Sequence, residues 1–111
     1  MVNVKPAVYT ELCKVATNVS NVYPSDWATF PVVQYTLENN QEYETLLDET
    51  ETASYIRIKV DVWGKEEYPS DICISVTDKL KILGYRRTDY MDVPDPSGLK
   101  HSILRYEKIV E

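Results

Sequence analysis

The residues able to do chemistry are few: one histidine, His101, two cysteines, Cys13 and Cys73, and eighteen carboxylates. A catalytic thiol needs a base within reach and a setting that lowers its pKa. Cys73 lies near the expected start of a helix, where the dipole favours a thiolate, but Ile72 and Ile74 flank it. That neighbourhood points to core packing. Cys13 and Cys73 both fall in expected helices, far apart in sequence, and read as buried free thiols of a reducing compartment. Acid–base catalysis needs a carboxyl whose pKa is raised by an apolar setting. Asp61, between Val60 and Val62, is the single candidate, and strand alternation places it beside Arg57 and Lys59, which suits a salt-bridged face. A small enzyme built on Asp61 or His101 is the weaker reading, and no catalytic residue is assigned.

Metal and phosphate chemistry find no better support. One histidine and two separated cysteines do not give zinc-site spacing. The acidic stretch before residue 53 has no glycine and lacks the alternating Asp pattern of a calcium loop. The three glycines stand alone, so no glycine-rich loop can cradle a phosphate. No metal and no cofactor is expected.

What remains is surface. Trp27 and Trp63 lie in or beside expected loops, where large aromatics either pack at a core edge or anchor a partner. With Arg57, Lys59, Asp61, Arg86 and Arg87 they form the candidate subunit or partner interface. The formal charge of −6 is unevenly spread. From Val15 to Ile56 there are seven acidic residues and no Lys or Arg; the rest of the chain has twelve basic against eleven acidic residues, or +1. Such a segment repels phosphate backbones, because nucleic-acid contacts need clustered cations to release counterions. Glu42, Glu44, Asp48, Glu49 and Glu51 form its densest part, an acidic loop that on its own reads as solvated. The overall charge also admits an acidic inhibitor that mimics nucleic acid.

The elements that must position these residues follow from periodicity. At 111 residues the chain suits a single domain, 1–111. No run approaches a membrane span, and the N-terminal residues do not read as a signal peptide, so synthesis in a cytoplasm is expected. Residues 6–19 carry Val8, Leu12, Val15, Ala16 and Val19 at helical spacing. Phe30–Leu37 alternates as a strand, with Pro31 at its start. Residues 38–53 are polar and read as a long loop. Residues 55–63 alternate strictly, with Ile56, Ile58, Val60 and Val62 on one side and Tyr55, Arg57, Lys59, Asp61 and Trp63 on the other. A helix then begins near Ser70, with Asp71 at its positive end, an apolar stripe of Ile72, Val76, Leu80 and Leu83, and Gly84 as its left-handed cap. Two more strands, at about 85–92 and 101–109, flank the turn-rich Pro94-Asp95-Pro96-Ser97-Gly98. The expected fold is α+β: a four-stranded antiparallel, or mixed, sheet with two helices on one face, in the order α-β-β-α-β-β.

These pieces resemble a known family. The aliphatic first helix, Phe30-Pro31-Val32-Val33-Gln34-Tyr35 with Asn39-Asn40, the strand end Val60-Asp61-Val62-Trp63-Gly64, and Leu83-Gly84-Tyr85-Arg86-Arg87 occur in an order similar to that of tail terminator, or tail-completion, proteins of long-tailed bacteriophages and related tail-like particles. His101 and Leu104-Arg105-Tyr106 continue the likeness to the last strand. The resemblance implies a structural subunit without catalysis or cofactor, forming a homo-oligomeric ring, usually a hexamer, that caps the tail tube and joins it to the head. Its implied partners are copies of itself, the tail tube protein and a head–tail connector protein, with DNA only as passing cargo and no membrane. In such a ring Glu42, Glu44, Asp48, Glu49 and Glu51 are the candidate channel-facing acidic loop, which would repel the passing DNA, with a solvated outer loop as the alternative. The implied place is the host cytoplasm during assembly and then the tail–head junction of the virion. Another connector component, a stopper or adaptor, is the near alternative.

Overall fold

The computed structural model describes residues 3–44 and 52–110. Its elements run α1 (Lys5–Leu12), β1 (Asn18–Ser20), β2 (Val32–Glu44), β3 (Thr52–Gly64), α2 (Ser70–Ile82), β4 (Arg86–Pro94) and β5 (Lys100–Val110). The strands form one five-stranded sheet in the order β1-β2-β3-β5-β4. β1 pairs with β2 in parallel, and the remaining pairs are antiparallel. This corrects the expected four-stranded sheet and its α-β-β-α-β-β order. The sheet is mixed and a fifth strand precedes β2, giving α-β-β-β-α-β-β among the described residues.

The added strand takes the last two residues of the expected first helix and the one after it. Val4, Val8, Leu12 and Ala16 are all buried at four-residue spacing, so the helical face is real. The regular helix nevertheless stops at Leu12, and the turn ends with Ala16 N–H donating to the Leu12 carbonyl. Asn18-Val19-Ser20 then lies along Val32-Val33-Gln34. Three residues are too few to show a strand period, and a parallel partner twelve or more residues away leaves no local trace.

The second correction concerns residues 38–53. β2 continues to Glu44 and β3 begins at Thr52, with Glu44 opposite Thr52, so residues 38–44 and 52–53 are paired strand, while 45–51 lie outside the described residues. One irregularity, between Leu37 and Asn39, puts an extra residue, Glu38, into β2. The paired strands make the molecule long, 52 × 22 × 22 Å. Its radius of gyration is 15.3 Å, against roughly 13 Å for a compact domain of this length.

Both helices contribute to one core cluster on one side of the sheet. Val8 and Leu12 from α1, Cys73, Val76 and Leu80 from α2, and Ile56, Ile58, Val60, Val62, Leu104 and Tyr106 from the central strands belong to it. At about 25 cal/mol per Å² of apolar surface, this side is the main source of stability. α2 ends as its sequence indicates: Gly84 has φ 92°, and Tyr85 N–H donates to the Leu80 carbonyl. Gly64 closes β3 for a different reason. A Cβ there would stand 2.3 Å from the Glu67 carbonyl oxygen, so the chain can turn only without one.

Candidate functional site

The other face of the sheet carries the polar side chains. Asp61 and Trp63, two residues apart on β3, point to this open face. β5 runs antiparallel with His101 opposite Trp63 and Ile103 opposite Asp61, which places His101 diagonal to Asp61. His101 Nε2 lies 2.9 Å from Asp61 Oδ1. A carboxylate can only accept, so Nε2–H is the donor. The imidazole stacks on the Trp63 indole with centroids 4.4 Å apart and planes at 13°.

The turn after β4 closes the cluster. Trp63 Nε1–H donates to Asp95 Oδ2 at 3.2 Å, and His101 Nδ1 is 4.0 Å from the same oxygen. Asp95 Oδ1 accepts from the Ser97 backbone N–H at 2.9 Å and from Ser97 Oγ at 2.7 Å. The two Ser97 hydrogen bonds, the hydroxyl first, hold the Asp95 carboxyl below the usual range. From the other side Trp27 meets Trp63 edge-on, at 5.1 Å and 85°, and Tyr23 tilts against Trp27 at 5.7 Å. The Trp27 loop is pinned by Asn18 Nδ2, which donates to the Asp26 and Thr29 carbonyls. Asp26 Oδ1 accepts from the Ala28 and Thr29 amides, and the Ala28 bond lowers its pKa most. A cleft of about 280 Å³ opens here, lined by Tyr23, Trp27, Asp95, Ser97 and Leu99.

Further along the open face the charges interlock. The bulge residue Glu38 lies 3.5 Å from Arg57 Nε and 3.2 Å from Arg105 Nε, and Arg105 reaches Asp89 at 3.6 Å. Glu107 pairs with Arg86 and accepts from Tyr55 OH at 2.9 Å. Those two hydrogen bonds, Arg86 first, depress its pKa.

The residues expected to form an interface therefore separate into two groups. Trp63 and Asp61 are only 5% and 4% exposed, so they support the surface rather than form it. Lys59, half-buried, sits 3.6 Å from Asp61 Oδ2. Trp27 is half-buried, while Arg57, Arg86 and Arg87 are exposed, with the Arg87 guanidinium 5.6 Å from the Tyr90 ring. Glu42 and Glu44 fall in β2, and Asp48, Glu49 and Glu51 lie outside the described residues. Sequence reasoning missed Tyr23, Asp95, Glu38, Glu107 and Tyr55. Of these only Asp95 left a signal, the Asp-x-Ser pattern of a side-chain-capped turn.

The arrangement limits what this cluster can do chemically. Both His101 nitrogens face carboxylates, and one ring face is covered by Trp63. The imidazole is placed to tie β3 and β5 to the β4–β5 turn. Cys73 is buried, and burial pushes its thiol up to about 11, away from nucleophilic character. Cys13, expected to be buried, is exposed just after α1. Among the described residues no three His, Cys, Asp or Glu side chains gather closely enough to hold a metal ion, and no helix is long and apolar enough to cross a membrane.

No family model and no curated protein matches this chain. Among solved structures, it is similar to a chain of the "Virion of native gene transfer agent (GTA) particle", with a TM-score of 0.54 and 12% identity. The match covers 96% of this chain and 93% of that one. At such identity the likeness is one of fold, and it extends over nearly the whole of both chains.

Proposed function

We propose that this protein is a structural, noncatalytic subunit of a phage-like particle. Within that class we assign it to tail completion: a ring of copies that closes the tail tube and meets the head connector. The observation that carries the coarser reading is the near end-to-end likeness of fold to a chain of a gene transfer agent virion. The finer assignment draws on the family resemblance of the motifs around Phe30–Tyr35, Val60–Gly64 and Leu83–Arg87. The side-chain chemistry is compatible with both, since the one histidine is held between Asp61 and Asp95. The nucleic-acid mimic loses support from the open face. There Glu38 and Glu107 lie against Arg57, Arg105 and Arg86, so they do not display a row of free negative charge.

Removing the gene from a producing particle tests this directly. A tail-completion subunit predicts tubes of uncontrolled length and heads without tails, with purified protein binding tube ends as rings in electron micrographs. Normal tails together with heads that leak DNA would favour the stopper reading instead. Complete, infectious particles would end the structural assignment.

A further inference from the structure

The cleft between Tyr23, Trp27 and Asp95 has the composition of a cation receptor. Tyr23 is 73% exposed, Trp27 is half-buried, and the Asp95 carboxylate is fixed by Trp63 and Ser97. Aromatic faces attract a cation through their quadrupoles, and a planar guanidinium can stack on them while donating to a carboxylate. Among the described residues no Lys or Arg lies within ion-pair distance of Asp95, whose ionisable neighbour is His101.

The complementary surface lies elsewhere on the same chain. A second cleft, of about 310 Å³, is lined by Ile74, Thr77, Asp78, Lys81, Arg86 and Arg87. Arg86 is engaged with Glu107, whereas Arg87 is exposed and has no carboxylate within ion-pair distance among the described residues. Arg87 cannot reach the Asp95 cleft of its own chain. It pairs with Tyr106, whereas the cleft lies beyond His101 on the same strand, five residues or roughly 17 Å away. β4 is also a sheet edge, open to a neighbour. Its bulge after Arg87, its charges and its terminal Pro94 hinder strand-to-strand addition and favour docking through side chains.

We propose that the Tyr23–Trp27–Asp95 cleft receives the Arg87 guanidinium of a second copy, joining copies head to tail. Two different patches meet in such a contact, which generates a closed ring or an open filament rather than an isologous pair. The inference rests on the ring reading and specifies its contact.

Two variants test it. Tyr23→Lys puts a repelling cation in the cleft at an exposed position, and Arg87→Glu removes the guest. In sedimentation velocity the wild-type protein should self-associate as concentration rises. Each variant alone should associate at least tenfold more weakly, while Tyr23→Phe, which keeps the aromatic ring, should behave as wild type. An equal mixture of Tyr23→Lys and Arg87→Glu should recover association, to dimers at least, because each variant retains one intact patch and the two patches fit. Variants that assemble like the wild type, or a mixture that stays monomeric, would overturn the contact while leaving rings on tube ends to be judged independently. A wild-type protein that remains monomeric at several hundred micromolar would also overturn it, whatever the tube-end assay shows.

Discussion

β3 presents two faces that are held in place by different physics. Toward the helices, Ile56, Ile58, Val60 and Val62 are at most 2% exposed and are stabilised by loss of apolar surface from water. Toward the open side, Tyr55, Arg57, Lys59, Asp61 and Trp63 are each held by a named partner. Burial of area is non-directional, so the first face tolerates adjustment as long as volume is kept. The second depends on register. A one-residue slip of β5 would move His101 away from Asp61 and Glu107 away from Tyr55. The bulge at Glu38 belongs to the same logic, since the extra residue lies between Arg57 and Arg105. One face supplies the stability, and the other specifies which strand positions meet.

The sharpest way to break the comparison is to damage each face and compare the losses. Leu80→Ala empties a fully buried position between α2 and the sheet and should cost about 2–5 kcal/mol. Urea titration would read this as a lower midpoint at unchanged slope. Gly64→Ala comes next, because the new methyl meets the Glu67 carbonyl oxygen. The connection from β3 to α2 must shift, at a cost of roughly 1–3 kcal/mol, typical of overpacking. A Gly64→Ala protein as stable as the wild type would mean that this end of β3 yields freely.

The helix-facing side was largely legible from residue order. Strict alternation from Ile56 to Val62 and the stripe of Val76 and Leu80 ending in Gly84 are local signals, and the structure places all of them as read. The open side was legible only as a set of polar positions. Asp61 and His101 are forty residues apart, and Trp63 and Asp95 thirty-two, so nothing local pairs them. The distal half of β2 was misread for a related reason. Asn39-Asn40-Gln41-Glu42 has neither apolar alternation nor strand propensity, and it is held extended by its partners Arg57, Ile56, Tyr55 and Ser54. β1 escaped because its helical-looking apolar spacing continued past the point where the helix ends. In each case tertiary pairing overrode the local pattern.

The Asp61–His101 contact offers a finer test of whether the open face works through specific pairs. Asp61→Ala or His101→Ala alone should each cost about 1–3 kcal/mol, because a nearly buried polar group loses its partner. Their double-mutant cycle should return a coupling of about 0.5–3 kcal/mol, as expected for residues in direct contact. Leu80→Ala combined with His101→Ala should be additive, since no partner is shared between the two faces. Additivity within the Asp61–His101 cycle would remove the argument that this side is built from pairs.

The smallest effect concerns Glu107 and is read most clearly in the shape of the pH dependence. Its folded-state pKa lies below its unfolded value, because Arg86 and then Tyr55 hydrogen-bond the charged carboxylate. A group depressed in this way contributes stability that is fully present above the unfolded pKa and is lost as pH falls through the folded one. The loss therefore begins near pH 4.5, the ordinary value for this side chain, and continues below it. Glu107→Gln should lower the urea midpoint at pH 7 slightly, by the same small amount the wild type loses on acidification, because an exposed ion pair contributes little. It should also flatten the decline below pH 4.5 relative to the wild type, with Arg86→Ala giving part of the same flattening. Leu80→Ala should shift the whole curve downward without changing its shape, since no titrating group belongs to that contact. Parallel curves for Glu107→Gln and the wild type would mean that the Arg86–Glu107–Tyr55 contact is not maintained in solution, leaving the open face without that part of its ordering network.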